Sequence, residues 1–204
     1  MTRFLVLAKT PTPGRVKTRL CPPWTLEQAA AVASAALIDT LRTVGAGVLV
    51  VDGSHPAPSG WSRVAQRGDE LPARLANAFA DAGSEPAVLI GMDTPQVTGA
   101  LLADAAERLR EADAVLGPAE DGGWWALGLR DPAYATVLRT VATSRPDTGV
   151  RTLQALRGLG LRVSLLPTLR DVDTATDARA VAALCPAGSE FRRAVTALDA
   201  ELSA

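Results

Sequence analysis

The chain has 204 residues and a formal net charge of −1, and 48% of its residues are hydrophobic. This length suits one domain that buries a core without disulfides, and the near-neutral charge excludes a global attraction to nucleic acid or anionic membranes. No apolar run approaches the ~20 residues of a membrane span, and the first one is too short for a signal peptide. The two cysteines, Cys21 and Cys185, are far apart, which predicts reduced thiols in a cytoplasmic protein.

Short apolar runs alternate with amphipathic segments along the chain. Strands are predicted at residues 4–8, 48–52, 61–66, 87–91, 113–119, 124–129 and 161–169. Helices are predicted at residues 25–45, 69–83, 98–112, 133–143, 148–158, 174–185 and 188–202. This alternation predicts an α/β fold with a mostly parallel sheet, in one domain over residues 1–204 with a helical tail at 188–204. Such sheets bind ligands beyond the carboxyl ends of their strands, so the residues after each strand are the candidates for a site.

A basic loop, "KTPTPGRVKTRL" (9–20), follows the first strand. It holds the chain's only two lysines, Lys9 and Lys17, together with Arg15 and Arg19, and no acidic residue precedes Glu27. The loop is not a P-loop, because a P-loop needs a glycine directly before its lysine. The side chains themselves therefore predict phosphate binding, with a solvated basic loop as the alternative.

Carboxylates follow two further strands. Asp93 comes after the strand at 87–91, and Asp171 and Asp173 come after the strand at 161–169. A carboxylate at a strand's carboxyl end suits a divalent metal, and Asp93 is also a candidate catalytic residue. The alternatives are a turn for the Asp-Thr-Pro sequence at Asp93 and a helix cap for the later pair.

The stretch "EDGGWW" follows the strand at 113–119. Glu120 and Asp121 are candidate catalytic carboxylates. Gly122 and Gly123 allow close approach of a ligand to the backbone, and Trp124 offers a stacking face for a sugar or base. The alternative is a tight turn followed by a buried strand. Taken with the basic loop and the other aspartates, the pattern predicts a pocket for a nucleotide diphosphate and a divalent cation.

Four stretches carry a resemblance to a known family. They are "AKTPTPGRVKTRL" (8–20), "LIGMDTPQVT" (89–98), "GPAEDGGWWALGL" (117–129) and "LRDVDTATDA" (169–178). Over roughly residues 3–185 the chain resembles bacterial nucleotide-diphospho-sugar transferase-like proteins, which include glycosyltransferases of the arsenosugar-biosynthesis type. These proteins are related to molybdenum-cofactor and 2-phospholactate guanylyltransferases.

The resemblance implies a three-layer α/β/α, Rossmann-like fold of the type-A glycosyltransferase class, with a mixed, mostly parallel sheet. It implies that Asp93 and Asp173 hold a metal and that Lys17 and Arg19 meet phosphates. The chain departs from the family pattern in several places, one of them the tryptophans of "DGGWW", where family members tend to have tyrosines. Pro95 replaces the second aspartate of the D-x-D motif, and the glycine-rich opening of typical nucleotidyltransferases is missing. The stretch "ATSRPDTGV" (142–150) replaces a shorter one and is expected to line the acceptor pocket.

Three functions remain open. The first is a Mg²⁺- or Mn²⁺-dependent transfer of a sugar from a nucleotide-diphosphate sugar to a small acceptor. The second is a nucleotidyl transfer from a nucleoside triphosphate to a phosphorylated small molecule, with release of pyrophosphate. The third is a nucleotide-binding module without catalysis. All three use a nucleotide partner, and none involves nucleic acid or a membrane.

Overall fold

In a computed structural model, which describes residues 1–202, one mixed sheet of seven strands forms the centre of the molecule. The strands are β1 (Arg3–Lys9), β2 (Val48–Asp52), β3 (Ser62–Ala65), β4 (Ala87–Gly91), β5 (Ala114–Pro118), β6 (Trp124–Leu129) and β7 (Val163–Leu165). Their order across the sheet is β3-β2-β1-β4-β6-β5-β7. Only β6 runs antiparallel to its neighbours, so β1, β4, β5 and β7 all end at the same edge.

Six α-helices connect the strands or follow them. They are α1 (Leu26–Val44), α2 (Leu71–Asp81), α3 (Gly99–Glu111), α4 (Thr148–Gly158), α5 (Ala175–Leu184) and α6 (Glu190–Leu202). Capping boxes begin α1 at Thr25 and α5 at Thr174, as the sequence predicts. No helix among the described residues is long and apolar enough to cross a membrane.

Apolar side chains on the two faces of the sheet define three layers. One face packs against α1 and α3 through residues such as Val6, Ile90 and Leu37. The other face packs against α2, α4 and a 3-10 helix through residues such as Leu89 and Phe79. The strands are buried on both faces, which explains why their sequences read as continuous apolar runs. The predicted three-layer α/β/α fold is therefore confirmed.

A third apolar cluster joins the carboxyl-terminal helices to the outer face of α1. Asp39 on α1 is 8% exposed, and its carboxylate accepts hydrogen bonds from the Ser189 hydroxyl at 2.6 Å and from the Phe191 amide at 2.8 Å. This carboxylate thus caps the start of α6. The predicted tail helix is present, although Ser203 and Ala204 lie outside the described residues.

Two predicted elements differ from the structure. The predicted strand at 161–169 is paired as a regular strand only over Val163–Leu165. The Leu166 amide still donates to the Leu116 carbonyl at 2.9 Å, but the next donor on β5 would be Pro118, which has no amide hydrogen to continue the ladder. The predicted helix at 133–143 is a 3-10 helix, Pro132–Thr140, which begins at a proline and is capped by the Asp131 side chain.

Candidate functional site

Three loops are joined by backbone hydrogen bonds at the carboxyl edge of the sheet. The Val172 amide donates to the Asp93 carbonyl at 2.9 Å, which ties the segment after β7 to the loop after β4. The Glu120 amide donates to the Leu169 carbonyl at 3.0 Å, which ties the same segment to the β5–β6 turn. Carboxylates that are far apart in sequence therefore share one small region.

Lys17 from the basic loop reaches into this region. Its Nζ lies 2.7 Å from Asp93 Oδ1 and 3.9 Å from Asp173 Oδ1, and it also donates to the Val172 carbonyl. Arg19 lies 2.7 Å from the other oxygen of Asp173. The Lys17 side chain is only 10% exposed, whereas that of Arg19 is 72% exposed. The predicted convergence of the basic loop with Asp93 and Asp173 is thus what the structure contains.

Three carboxylates form a cluster suited to a metal ion. Asp121, Asp171 and Asp173 each offer an oxygen, and these oxygens lie within 4.8 Å of one another. Burial, followed by repulsion from the carboxylate of Asp121 and then that of Asp173, raises the pKa of Asp171 to about 6. Such crowding of like charges is relieved by a cation. Asp93, which the sequence predicts as a metal ligand, is outside this group and faces Lys17 instead.

These side chains border a cleft with two compartments of about 590 Å³ each. The basic compartment is lined by Lys9, Arg15, Lys17, Gln66, Asp69 and Arg74, among others. The acidic compartment is lined by Asp121, Asp171, Trp124, Trp125 and residues of the loop 143–148. Arg19, Asp93 and Asp173 line both compartments, so the charged cluster stands at their boundary.

Two cations of the basic compartment have no acidic partner among residues 1–202. Lys9 and Arg15 are exposed and take part in none of the ion pairs. Arg74, in contrast, is held by Asp52 at 3.0 Å. Unpaired, exposed cations on a short loop are available to an anionic ligand such as a phosphate.

The loop 143–148 forms one wall of the acidic compartment. Ser144 in this loop has a left-handed backbone with a φ of 58°. Among residues 1–202, only Lys17 and Ser144 combine a positive φ with a side chain, and both line the cleft. Backbone conformations of this kind concentrate at functional sites.

The two predicted pocket glycines have different surroundings. Gly123 lines the acidic compartment, and its amide donates to Asp121 Oδ1 at 2.7 Å. Gly122 lies against the chain itself, because a Cβ built there would be 1.9 Å from the Pro146 carbonyl oxygen. The absence of a side chain at Gly122 therefore serves the packing of the wall, and the geometry gives no support to a ligand contact there.

Among the predicted catalytic residues, Asp93 and Asp121 border the cleft and Glu120 does not. The Glu120 carboxylate accepts a hydrogen bond from Arg170 at 2.7 Å. Trp124 is half-buried in the acidic compartment, whereas Trp125 is 3% exposed and donates its Nε1 hydrogen to the Pro167 carbonyl. Of the two tryptophans, Trp124 is thus the available stacking surface.

Several cleft residues escape sequence reasoning. Thr94 is 2% exposed and lines the acidic compartment, and its hydroxyl has no hydrogen-bond partner in the described part of the chain. Gln66 donates its amide hydrogens to the Ala8 and Val50 carbonyls and lines the basic compartment. The position of Thr94 directly after Asp93 was a usable signal, but nothing in the sequence around Gln66 marks it.

The fold and the site define a class: an α/β protein with cations and clustered carboxylates at the carboxyl edge of its sheet, where open α/β sheets bind their ligands. Within that class the chain belongs to DUF2064, a family described as uncharacterized protein conserved in bacteria, whose model matches residues 26–145. Among curated proteins, none matches the chain.

Solved structures share the fold. A candidate nucleotide-diphospho-sugar transferase from Desulfovibrio desulfuricans G20 is 27% identical, with a TM-score of 0.84 over 98% of this chain and 96% of its own. The manganese complex of Rv0371c from Mycobacterium tuberculosis H37Rv is 22% identical, with a TM-score of 0.52 over 89% of this chain and 98% of its own. CMP:2-keto-3-deoxy-manno-octonic acid synthetase complexed with CTP is 12% identical, with a TM-score of 0.54 over 90% of this chain and 97% of its own.

Proposed function

We propose that the protein is a divalent-metal-dependent transferase that moves a sugar from a nucleotide-diphosphate sugar to a small acceptor. One observation carries the proposal: unpaired cations and a three-carboxylate cluster occupy adjoining compartments of one cleft. A diphosphate group needs cations to bind it, and the divalent counter-ion of the diphosphate needs carboxylate ligands. The likeness to the candidate nucleotide-diphospho-sugar transferase from Desulfovibrio supports the assignment. We also propose that the protein is cytoplasmic, since both cysteines are free.

The residues present fit Mg²⁺ or Mn²⁺. Asp121, Asp171 and Asp173 would hold the ion, because hard cations prefer carboxylate oxygens. The buried hydroxyl of Thr94 in the same compartment is a further oxygen ligand that has no hydrogen-bond partner among residues 1–202. When bound, the ion would supply charge neutralisation for the phosphates of the donor. The manganese bound by Rv0371c, a protein of the same fold, is compatible with this choice of metal.

The protein's own side chains would then position the two substrates. Lys9 and Arg15 would bind the phosphates of the donor, with Arg19 at the boundary of the compartments. Trp124 would form a flat surface under the sugar or the acceptor. Asp121 is exposed and lines the acidic compartment, so it is the carboxylate placed to accept the proton of an acceptor hydroxyl.

Nucleotidyl transfer is the second candidate function. The fold is shared with a synthetase crystallised with CTP, and the basic compartment has room for a triphosphate beside Lys9 and Arg15. The same metal site would serve this reaction. The two candidates differ in the products, which are a nucleoside diphosphate in one case and pyrophosphate in the other.

A ligand panel tests the proposal directly. We expect Mn²⁺ together with one nucleotide sugar or nucleoside triphosphate to raise the melting temperature, since a ligand that binds only the folded state stabilises it. Slow hydrolysis of a nucleotide sugar to the nucleoside diphosphate would identify the first function. Pyrophosphate release from a triphosphate would identify the second.

Paired variants test the phosphate contacts. In the double variant Lys9→Ala/Arg15→Ala, the nucleotide Kd should rise about tenfold or more, with a weaker salt dependence, because two cations are lost. Arg157→Ala is the matched control, since Arg157 is exposed, has no ion-pair partner among the described residues and lies on α4 outside the cleft. Equal affinities of the two variants, or no nucleotide binding by the wild type with or without Mn²⁺, would contradict the proposal.

A further inference from the structure

We propose that Lys17 is a built-in cation that fills the metal position beside Asp93, so that the divalent ion is confined to Asp121, Asp171 and Asp173. The inference rests on the metal site of the proposed function, but it does not depend on the transfer reaction. It reassigns Asp93 from metal ligand to positioning residue for Lys17.

The contacts of the Lys17 ammonium are those of a bound cation. It lies 2.7 Å from Asp93 Oδ1, donates to the Val172 carbonyl and lies 3.9 Å from Asp173 Oδ1. A carboxylate, a backbone carbonyl and a second carboxylate are also typical ligands of a divalent ion. With its side chain 10% exposed, Lys17 leaves little room for a metal at the same place.

The backbone of Lys17 shows that its position is imposed by the surroundings. Its φ of 50° and ψ of 33° lie in the left-handed region, which lysine rarely occupies. A residue held there persists only when contacts elsewhere fix it. The contacts that fix it are those of Nζ with the loop after β4 and the segment after β7, together with the hydrogen bond that the Lys17 carbonyl accepts from the Leu20 amide at 2.9 Å.

The formal charges of the cluster leave a deficit of one divalent ion. Asp93, Asp121, Asp171 and Asp173 contribute −4, while Lys17 and Arg19 contribute +2 through their ion pairs. The remaining −2 equals the charge of one Mg²⁺ or Mn²⁺. Neither Asp121 nor Asp171 has an ion pair among residues 1–202, so the deficit lies on the carboxylates assigned to the metal.

An independent observation points to the same compartment. The hydroxyl of Thr94 is buried, has no hydrogen-bond partner and belongs to the wall of the acidic compartment. Buried polar groups are normally paired, and one that finds no partner among residues 1–202 is suited to a bound ion or water. Thr94 follows Asp93 directly in the sequence. Lys17 pairs with the Asp93 carboxylate but not with the Thr94 hydroxyl.

Counting bound Mn²⁺ in the absence of any nucleotide tests the inference. Free Mn²⁺ is measured by electron paramagnetic resonance as the full-length protein is titrated. We expect one ion per wild-type chain and the same number for Asp93→Asn, with a Kd within about threefold. Asp171→Asn should weaken binding by about tenfold or more, because one of three carboxylate ligands is lost. The control Asp104→Asn, an exposed residue of α3 paired with Arg108, should match the wild type.

A second variant tests the built-in cation itself. Lys17→Gln removes the ammonium and leaves Asp93 without a partner, so the stoichiometry should rise from one Mn²⁺ to two. A single ion in Lys17→Gln, no ion in the wild type, or loss of Mn²⁺ in Asp93→Asn as in Asp171→Asn would each overturn the inference. If the Mn²⁺ counts agree while no nucleotide binds, the proposed function fails and this inference stands. Circular dichroism confirms that each variant is folded.

Discussion

Replacing Gly122 by alanine is expected to damage both the fold and the metal site. Gly122 has a φ of 88°, where an alanine costs about 1–2 kcal/mol. Its new Cβ would also lie 1.9 Å from the Pro146 oxygen and 2.5 Å from the Pro146 carbonyl carbon. Both atoms are backbone, so no side-chain rotation relieves the clash, and overpacking of this kind costs about 1–3 kcal/mol more.

The two contributions sum to about 2–5 kcal/mol, which corresponds to a fall in melting temperature of roughly 5–15 °C for a chain of this length. The clash also separates the β5–β6 turn from the start of α4, where the Gly149 amide donates to the Gly122 carbonyl at 2.7 Å. Since Asp121 belongs to that turn, we expect weaker Mn²⁺ binding in Gly122→Ala as well.

Thermal unfolding followed by circular dichroism measures the first effect, and Mn²⁺ titration measures the second. Gly158→Ala is the matched control. Gly158 ends α4 with no atom within 4 Å of a built Cβ, so an alanine there should leave stability unchanged or raise it by up to about 1 kcal/mol. A Gly122→Ala protein that melts within about 2 °C of the wild type would refute the packing argument.

Further predictions concern buried and half-buried groups. Asp39→Ala should lower the free energy of unfolding by about 2–4 kcal/mol, since buried donors at the start of α6 lose their acceptor. Urea unfolding measures this effect, with Asp104→Ala as the control. Equal urea midpoints of the two variants would contradict the prediction. The folded-state pKa of Asp171 is raised to about 6. Its contribution to the stability of the fold is therefore present below about pH 4 and lost as the pH rises through 6. Without metal, Asp171→Asn should be more stable than the wild type at pH 7.5 and not at pH 4. Mn²⁺ should likewise bind the wild type more weakly at pH 5 than at pH 7.5, and pH-independent titrations would count against this. Burial raises the pKa of the Cys185 thiol to about 11, so a thiol reagent at pH 8 should modify the half-buried Cys21 and reach Cys185 only after unfolding.

Most of the fold can be predicted from the sequence because the sequence signals for its strands and helices are local. The strands at 48–52, 87–91 and 124–129 and the helix at 148–158 have the predicted bounds, since apolar runs end there at polar or glycine residues. The capping boxes at Thr25 and Thr174 are equally local. Prediction was weaker where proline interrupts backbone pairing, as in the segment after β7, because pairing with a distant strand decides what forms there.

The site is predictable in its location but not in its pairings. Parallel strands place the basic loop, Asp93 and Asp173 at one edge, which sequence order alone indicates. Loop conformation decides that Asp93 contacts the Lys17 ammonium, while Asp121 lies beside the carboxylates of the segment after β7. The left-handed turn at Lys17 directs its ammonium to Asp93, and the β5–β6 turn brings Asp121 to the late aspartates. Neither feature can be predicted from the hydrophobic periodicity or from the spacing of residues in the sequence.

The bond between Lys17 and Val172 joins residues 155 positions apart. The ribosome must therefore synthesise most of the polypeptide before these contacts can form. Until then the Lys17 ammonium in the early basic loop has no partner from the segment after β7. Manganese affinity in a stalled-translation series should also emerge late, because Asp171 and Asp173 of the metal site belong to the same late segment. The ion would thus act as a reporter of completed folding.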